Sequence, residues 1–198
     1  GLSARSAYRK RYKYSGNFNA SLLTTILGDK VVPKEYSKSK DFKITWTHSQ
    51  DAKANPYRSF SASVNFATSS YDRNQLTNIY NQNSTSNTKG SSVSLSQRFP
   101  NSPFSLSATM NVNQRSRDSS ISVTLPDVSI TMSRIYPFKR KHAVGSEKWF
   151  EKISMSYSGY LRNSIDTKES KLMKSSLVKD WRNGMQHNIP VSATFTFL

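Results

Sequence analysis

The chain contains three histidines, His48, His142 and His187, and no cysteine. A catalytic histidine needs an acid or a nucleophilic hydroxyl beside it, and a metal site needs several ligands at short spacing. None of the three has a carboxylate at such a spacing, and there is neither a Gly-rich phosphate loop nor an H-E-x-x-H helix. The lack of cysteine excludes a disulfide scaffold, cysteine-based zinc sites and thiol catalysis. No cofactor and no metal are expected, and the chain reads as non-enzymatic. Its chemistry lies in its cations: 29 Lys+Arg against 12 Asp+Glu give a net charge of +17. Two clusters are compact, Arg9-Lys10-Arg11-Lys13 and Arg134 with Lys139-Arg140-Lys141. A looser set comprises Lys34, Lys38, Lys40 and Lys43. Such clusters either solvate turns or attract phosphates and anionic headgroups. Nucleic acid is not expected as a partner, because the charge is spread over many turns and no binding module is present.

The elements that carry these cations follow a period of two. Tyr12, Tyr14, Gly16, Phe18, Ala20 and Leu22 alternate with Lys13, Ser15, Asn17, Asn19 and Ser21. Phe42, Ile44, Trp46 and His48 do the same, as do Phe60, Ala62, Val64 and Phe66. Val93 and Leu95 lie among serines. Leu106, Ala108, Met110 and Val112 alternate with Ser105, Ser107, Thr109 and Asn111. Ile121 and Val123 lead to Pro126, after which the phase shifts to Val128, Ile130 and Met132. Met155, Tyr157, Gly159 and Leu161 follow, then Ile189, Val191, Ala193, Phe195 and Phe197. Alternation marks strands with one apolar and one polar face. Counting 120–133 as one strand with a bulge at Pro126 predicts eight strands. Residues 1–11 read as a basic lead-in and 12–198 as one β-domain. Only Thr167–Lys179 has the character of a short helical turn. The connections 23–40, 68–90 and 163–184 are long, while Gln50–Tyr57 and Pro100–Pro103 are short. Two connections break that rule: 135–151 is long on the short-turn rim, and 114–118 is short on the other.

No apolar run approaches the ~20 residues of a membrane helix, but each strand is near the ~9–11 residues that cross a bilayer at a tilt. Solvated strands of soluble sheets usually carry long charged side chains that guard against edge pairing. Here the mid-strand polar face is Ser, Thr and Asn, and the chain has 36 serines. That face suits a wet lumen, with Ser105, Ser107, Thr109 and Asn111 as candidate lumen wall. Aromatic pairs near strand ends, such as Tyr57 with Phe60 and Trp149 with Phe150, suit the girdles of a membrane barrel. The expected fold is therefore all-β, an antiparallel up-and-down transmembrane β-barrel. His48 lies near a short turn, away from the outer rim where barrel hydrolases place their chemistry. No secretory h-region is present, so an export signal is expected to have been removed or to lie outside this sequence. The last run, Ile189 to Leu198, ends without a turn, as though the barrel continued. Two other readings stay open: a small porin or structural barrel, and a secreted basic β-sandwich that binds polyanions.

Four stretches, RYKYSGNFNAS (11–21), SKDFKITWTHSQDAKANPYRSFSASVNFATSSYDRN (39–74), SQRFPNSPFSLSATMNVNQRSRDSSISVTLPDVSITMSRIYPFKRK (96–141) and KDWRNGMQHNIPVSATFTF (179–197), together resemble the barrel of the LptD family in its Bacteroidetes form. The resemblance implies an outer-membrane barrel of about 26 strands, of which these would be roughly the first third. It implies insertion of lipopolysaccharide into the outer leaflet of the bacterial cell outer membrane, through a lateral gap between first and last strands. The partners it implies are lipopolysaccharide, an LptE-like lipoprotein plug, periplasmic lipopolysaccharide bridge proteins and outer-membrane lipids. The family's jellyroll and disulfide cysteines have no counterpart here. On this reading Arg134, Lys139, Arg140 and Lys141 are candidate contacts for lipopolysaccharide phosphates or headgroups.

Overall fold

A computed structural model describes residues 1–28, 36–71, 88–141, 145–171 and 180–194. They form one antiparallel sheet of ten strands. These are β1 (Leu2–Lys10), β2 (Tyr14–Leu27), β3 (Ser37–Gln50), β4 (Arg58–Ala67), β5 (Thr88–Arg98), β6 (Phe104–Arg115), β7 (Ser120–Ile135), β8 (Ile153–Lys168), β9 (Arg182–Asn188) and β10 (Val191–Ala193). Each strand from β1 to β8 pairs with the next in sequence. Both β9 and β10 pair with β8, as two pieces of one edge interrupted at Ile189 and Pro190. Proline has no N–H to give a ladder, but its carbonyl accepts from the Ser156 N–H at 3.1 Å and keeps the edge attached. Among the described residues the sheet is not closed and no second sheet covers it, so the fold is an up-and-down barrel portion rather than a sandwich.

Two strands go beyond the eight read from alternation. The basic lead-in is mostly β1, paired with β2 from Leu2↔Leu22 to Lys10↔Tyr14. Its pattern is hidden because Ser6 takes an apolar-phase position and Ala7 a polar one. The strand expected to start at Tyr12 begins at Tyr14, since residues 11–13 form the β1–β2 turn and Tyr12 has φ 59°. At the other end, β9 begins inside the expected connection 163–184 and fills the stretch before the run at Ile189, its phase carried only by Met185 and His187. Phe195 and Phe197 are outside the described residues. Of the expected helical turn, Glu169–Lys171 is a 3₁₀ turn and 172–179 lies outside the described residues.

The turns show why this rim is tight. Asp51 Oδ1 accepts from the Lys53 N–H at 2.9 Å, and Asn55 Oδ1 from the Tyr57 N–H at 2.8 Å. Both are Asx turns that satisfy loop amides locally. The bulge expected at Pro126 is present: Thr109 pairs with Asp127 and Asn111 with Thr124, so Leu125–Pro126 stand opposite Met110 alone. The same pair stands opposite Asn163 of β8. Two residues against one shift the phase, so Ile121 and Val123 share a face with Val128, Ile130 and Met132.

One corner is packed. β4 leaves β5 after Ser63↔Ser92, and its end swings towards β6 and β8. The Asn65 N–H donates to Ser91 Oγ at 3.0 Å, and the buried Gln114 amide brackets the Ala67 peptide through both its donor and its acceptor. Phe66, Val112 and Trp181 then cover Ile121, Val123 and Ile165. The next residues form a strap. Thr68, Ser70 and Ser39 donate to the buried Asp41 of β3, while Ser69 donates to Glu169 beyond β8. Elsewhere the apolar face is uncovered, with Leu2, Phe18, Leu22, Ile26 and Ile130 exposed.

Candidate functional site

The polar face is continuous because cross-strand register keeps its members in phase. Ser105, Ser107, Thr109 and Asn111 pair with Thr131, Ser129, Asp127 and Thr124 of β7, and with Arg98, Ser96, Ser94 and Ser92 of β5. All four expected wall residues therefore share one face, opposite Leu106, Ala108, Met110 and Val112. Hydroxyl pairs tie neighbouring strands along it, Ser61 with Ser94 at 2.7 Å and Ser105 with Thr131 at 2.6 Å. These side chains are mostly small, neutral and able to donate and accept hydrogen bonds. Towards β8 and β9 two arginines on this face are matched by aspartates. Arg162 reaches Asp127 Oδ2 at 2.7 Å, and Arg182 reaches Asp166 Oδ2 at 3.3 Å.

The basic candidates lie in and beside the connection 136–152. Arg134 sits in a second bulge, since the register skips between Met132↔Tyr157 and Ile135↔Met155. Lys139 pairs with Glu147 at 3.1 Å, and Arg140 with Glu151 at 2.5 Å. Glu151 is only 2% exposed and organises the segment. Its carboxylate takes the Arg140 guanidinium, the Lys148 N–H at 2.7 Å and the Arg140 N–H at 3.2 Å. The Arg140 guanidinium above all, then the Lys148 amide, hold its pKa down to about 2. The same bond raises Arg140, and Glu147 raises Lys139. Lys141 is exposed, as is Arg134. Between 134 and 152 six bases face two acids, a formal +4. The structure thus ties two of the four candidates to glutamates and leaves a cationic surplus on the rim.

Aromatic side chains mark this same rim. Tyr12, Tyr14, Tyr57, Phe99, Phe104, Tyr136, Phe138 and Trp149 are all exposed, and each lies in a connection or at a strand end on that side. Arg11 and Lys53 stand over the Tyr12 ring at 4.8 and 5.2 Å, and Lys139 over Tyr136 at 5.7 Å.

A family model described as LptD protein matches residues 1–198. The chain belongs to the LptD family. Its fold portion is that expected of the family's barrel, and the family acts in lipopolysaccharide transport and assembly at the outer membrane. No curated protein and no solved structure matches the chain significantly. In this LptD-family chain two of the histidines serve packing. His48 Nδ1 lies 2.8 Å from the Tyr8 hydroxyl, which also accepts from Trp46 Nε1 at 2.8 Å. His187 Nδ1 lies 2.7 Å from the Tyr157 hydroxyl. Both tyrosines lie against a glycine, Gly16 and Gly159. His142 and Lys34 are outside the described residues. Sequence reasoning missed these clamps, the Gln114 bracket and the Asp41 strap, because each depends on a register that no residue pattern states.

Proposed function

We propose that this chain forms part of the barrel wall through which lipopolysaccharide is inserted into the outer leaflet. The apolar face meets acyl chains, and the Ser/Thr/Asn face lines the route of the saccharide. Ser105, Ser107, Thr109 and Asn111 belong to that wall. The cationic rim around Arg134 and 139–141 contacts phosphates or anionic headgroups, with the exposed aromatics anchoring the interface. An LptE-like lipoprotein inside the barrel and periplasmic bridge proteins are the partners of this reading, and outer-membrane lipids surround it.

The observation that carries it is a single sheet, uncovered on its apolar face across most strands, whose opposite face is polar and chiefly Ser, Thr and Asn through its middle. Lipid supplies the missing cover, and closure by further strands satisfies the edges, which in hydrocarbon would each cost several kcal/mol per unpaired group. Among the described residues there is no second sheet to complete a polyanion-binding sandwich. The test is photocrosslinking from Ser107 and Asn111 in membranes. Adducts with lipopolysaccharide support the reading; adduct-free lumen positions beside lipid adducts from Phe18 and Ile130 would leave a passive or structural barrel.

A further inference from the structure

On the rim of short connections, two neighbouring turns are tied together. The Pro103 carbonyl accepts the Ser133 N–H at 2.9 Å and the Ser133 hydroxyl at 3.2 Å. One turn joins β5 to β6 and the other β7 to β8, with β4 on one flank and β9 and β10 on the other. The pair therefore lies inside the strand order, away from either open edge. Phe104, paired with Met132, carries the apolar face of the sheet into this region. Phe99, Phe104, Tyr136 and Phe138 are exposed there. Arg134 and Lys141 are exposed in the same stretch of chain, while Lys139 and Arg140 are held by Glu147 and Glu151. Glu151 also takes the Lys148 N–H, which fixes the two limbs of the 136–152 connection to each other. The apolar face thus ends in a fixed band of mixed rings and cations.

We propose that this band binds anionic glycerophospholipid of the surrounding leaflet, with Arg134 and Lys141 attracting its phosphodiester and Phe104, Tyr136 and Phe138 resting against its glycerol and upper acyl carbons. The inference rests on the barrel-wall reading above, and narrows the phosphates or headgroups of that reading to one source. Two observations favour a leaflet lipid over the transported saccharide. The band continues the apolar face through Phe104, whereas the saccharide route of that reading is the opposite face. Glutamates also take two of the four candidate cations, and the smaller charge that remains suits a headgroup with one phosphate. Aromatic rings are favoured at the interface and set the depth of the chain there. Each basic residue near an anionic surface then adds about fivefold to the attraction, and salt weakens it. A zwitterionic lipid satisfies the rings but leaves the cations without this gain.

The test uses the full chain in vesicles of phosphatidylglycerol and phosphatidylcholine in equal parts, with a benzophenone side chain at Phe138 or, separately, at Ile130. Adducts are identified by mass spectrometry. At Phe138 phosphatidylglycerol should exceed phosphatidylcholine by about five- to tenfold, whereas Ile130, on the apolar face, should label both alike. Arg134→Gln/Lys141→Gln should bring the Phe138 ratio close to that of Ile130. Arg134→Lys/Lys141→Arg keeps the charge and should retain the preference, and unchanged Ile130 adducts show that the variants still fold. Arg115→Gln removes a charge from the opposite rim and should change nothing. A Phe138 ratio equal to that of Ile130, or one indifferent to Arg134 and Lys141, overturns this site alone. So does a Phe138 adduct that shifts to lipopolysaccharide or to another protein when whole outer membranes replace the vesicles. An Ile130 position that labels no lipid overturns the barrel-wall reading with it.

Discussion

Gly16→Ala tests the packing of the β1 edge. Gly16 needs no unusual torsion; it is required for space. A Cβ there would sit 2.6 Å from the Thr47 carbonyl oxygen and overlap the Cζ and hydroxyl of Tyr8. The Thr47 carbonyl belongs to the β2–β3 ladder and cannot retreat without shifting the register. The ring must therefore leave. With it go the hydrogen bonds from Tyr8 to His48 and from Trp46 to Tyr8, and the edge contact with Tyr14 at 6.1 Å between centroids. Overpacking costs about 1–3 kcal/mol, two part-buried hydrogen bonds about 1 kcal/mol each, and a ring pair about 0.5–1.5 kcal/mol. The expected loss is about 3.5–6.5 kcal/mol in denaturant unfolding in detergent, with a shift in Trp46 emission. Tyr8→Phe keeps the ring and should lose only about 1–2 kcal/mol. Gly184→Ala meets only the Arg162 carbonyl at 3.8 Å and should be neutral within about 0.5 kcal/mol. A Gly16→Ala protein as stable as the parent, with unchanged emission, would refute the reasoning.

Gly159→Ala should cost far less, about 1 kcal/mol, because the only obstacle is the side chain of Tyr157, which can swing aside and give up His187; the same unfolding assay reads it. Gln114→Ala leaves the buried Ala67 N–H and C=O without their bracket, and should cost about 1–3 kcal/mol with faster amide exchange at Ala67. Glu151 has its pKa lowered from 4.5 to about 2, so its clamp is fully present above 4.5 and disappears as pH falls through about 2. Acid protease should therefore begin to cut the 136–152 segment in that window, whereas Glu151→Gln should expose the segment already at pH 7 and flatten the pH response.

The alternation carried most of the fold into view because a two-faced strand needs one apolar and one polar environment, and eight stretches state that need. Pro126 announced its bulge because a residue without an N–H falls where the ladder skips. The edge strands were hidden for the opposite reason. In β1, Ser6 and Ala7 swap the expected polarity, and Arg9 and Lys10 occupy both faces, so charge masks periodicity. In β9 the apolar phase is reduced to Met185 and His187. That Ser105, Ser107, Thr109 and Asn111 share one polar face was legible in their spacing, but the matching of Arg162 with Asp127 is a property of strand neighbours. Likewise, the basic run 139–141 does not reveal that Glu151, eleven residues beyond Arg140, engages one of its members.

The strap from Ser69 to Glu169 connects positions one hundred residues apart, whereas every ladder from β1 to β8 joins strands consecutive in sequence. Hairpins can consequently zip one after another, each closing only the connection to its neighbour, but this tie has no partner until β8 is in place. It acts as a latch that reports completion: the corner around Ile121, Val123 and Ile165 tightens only after the wall behind it has been laid down.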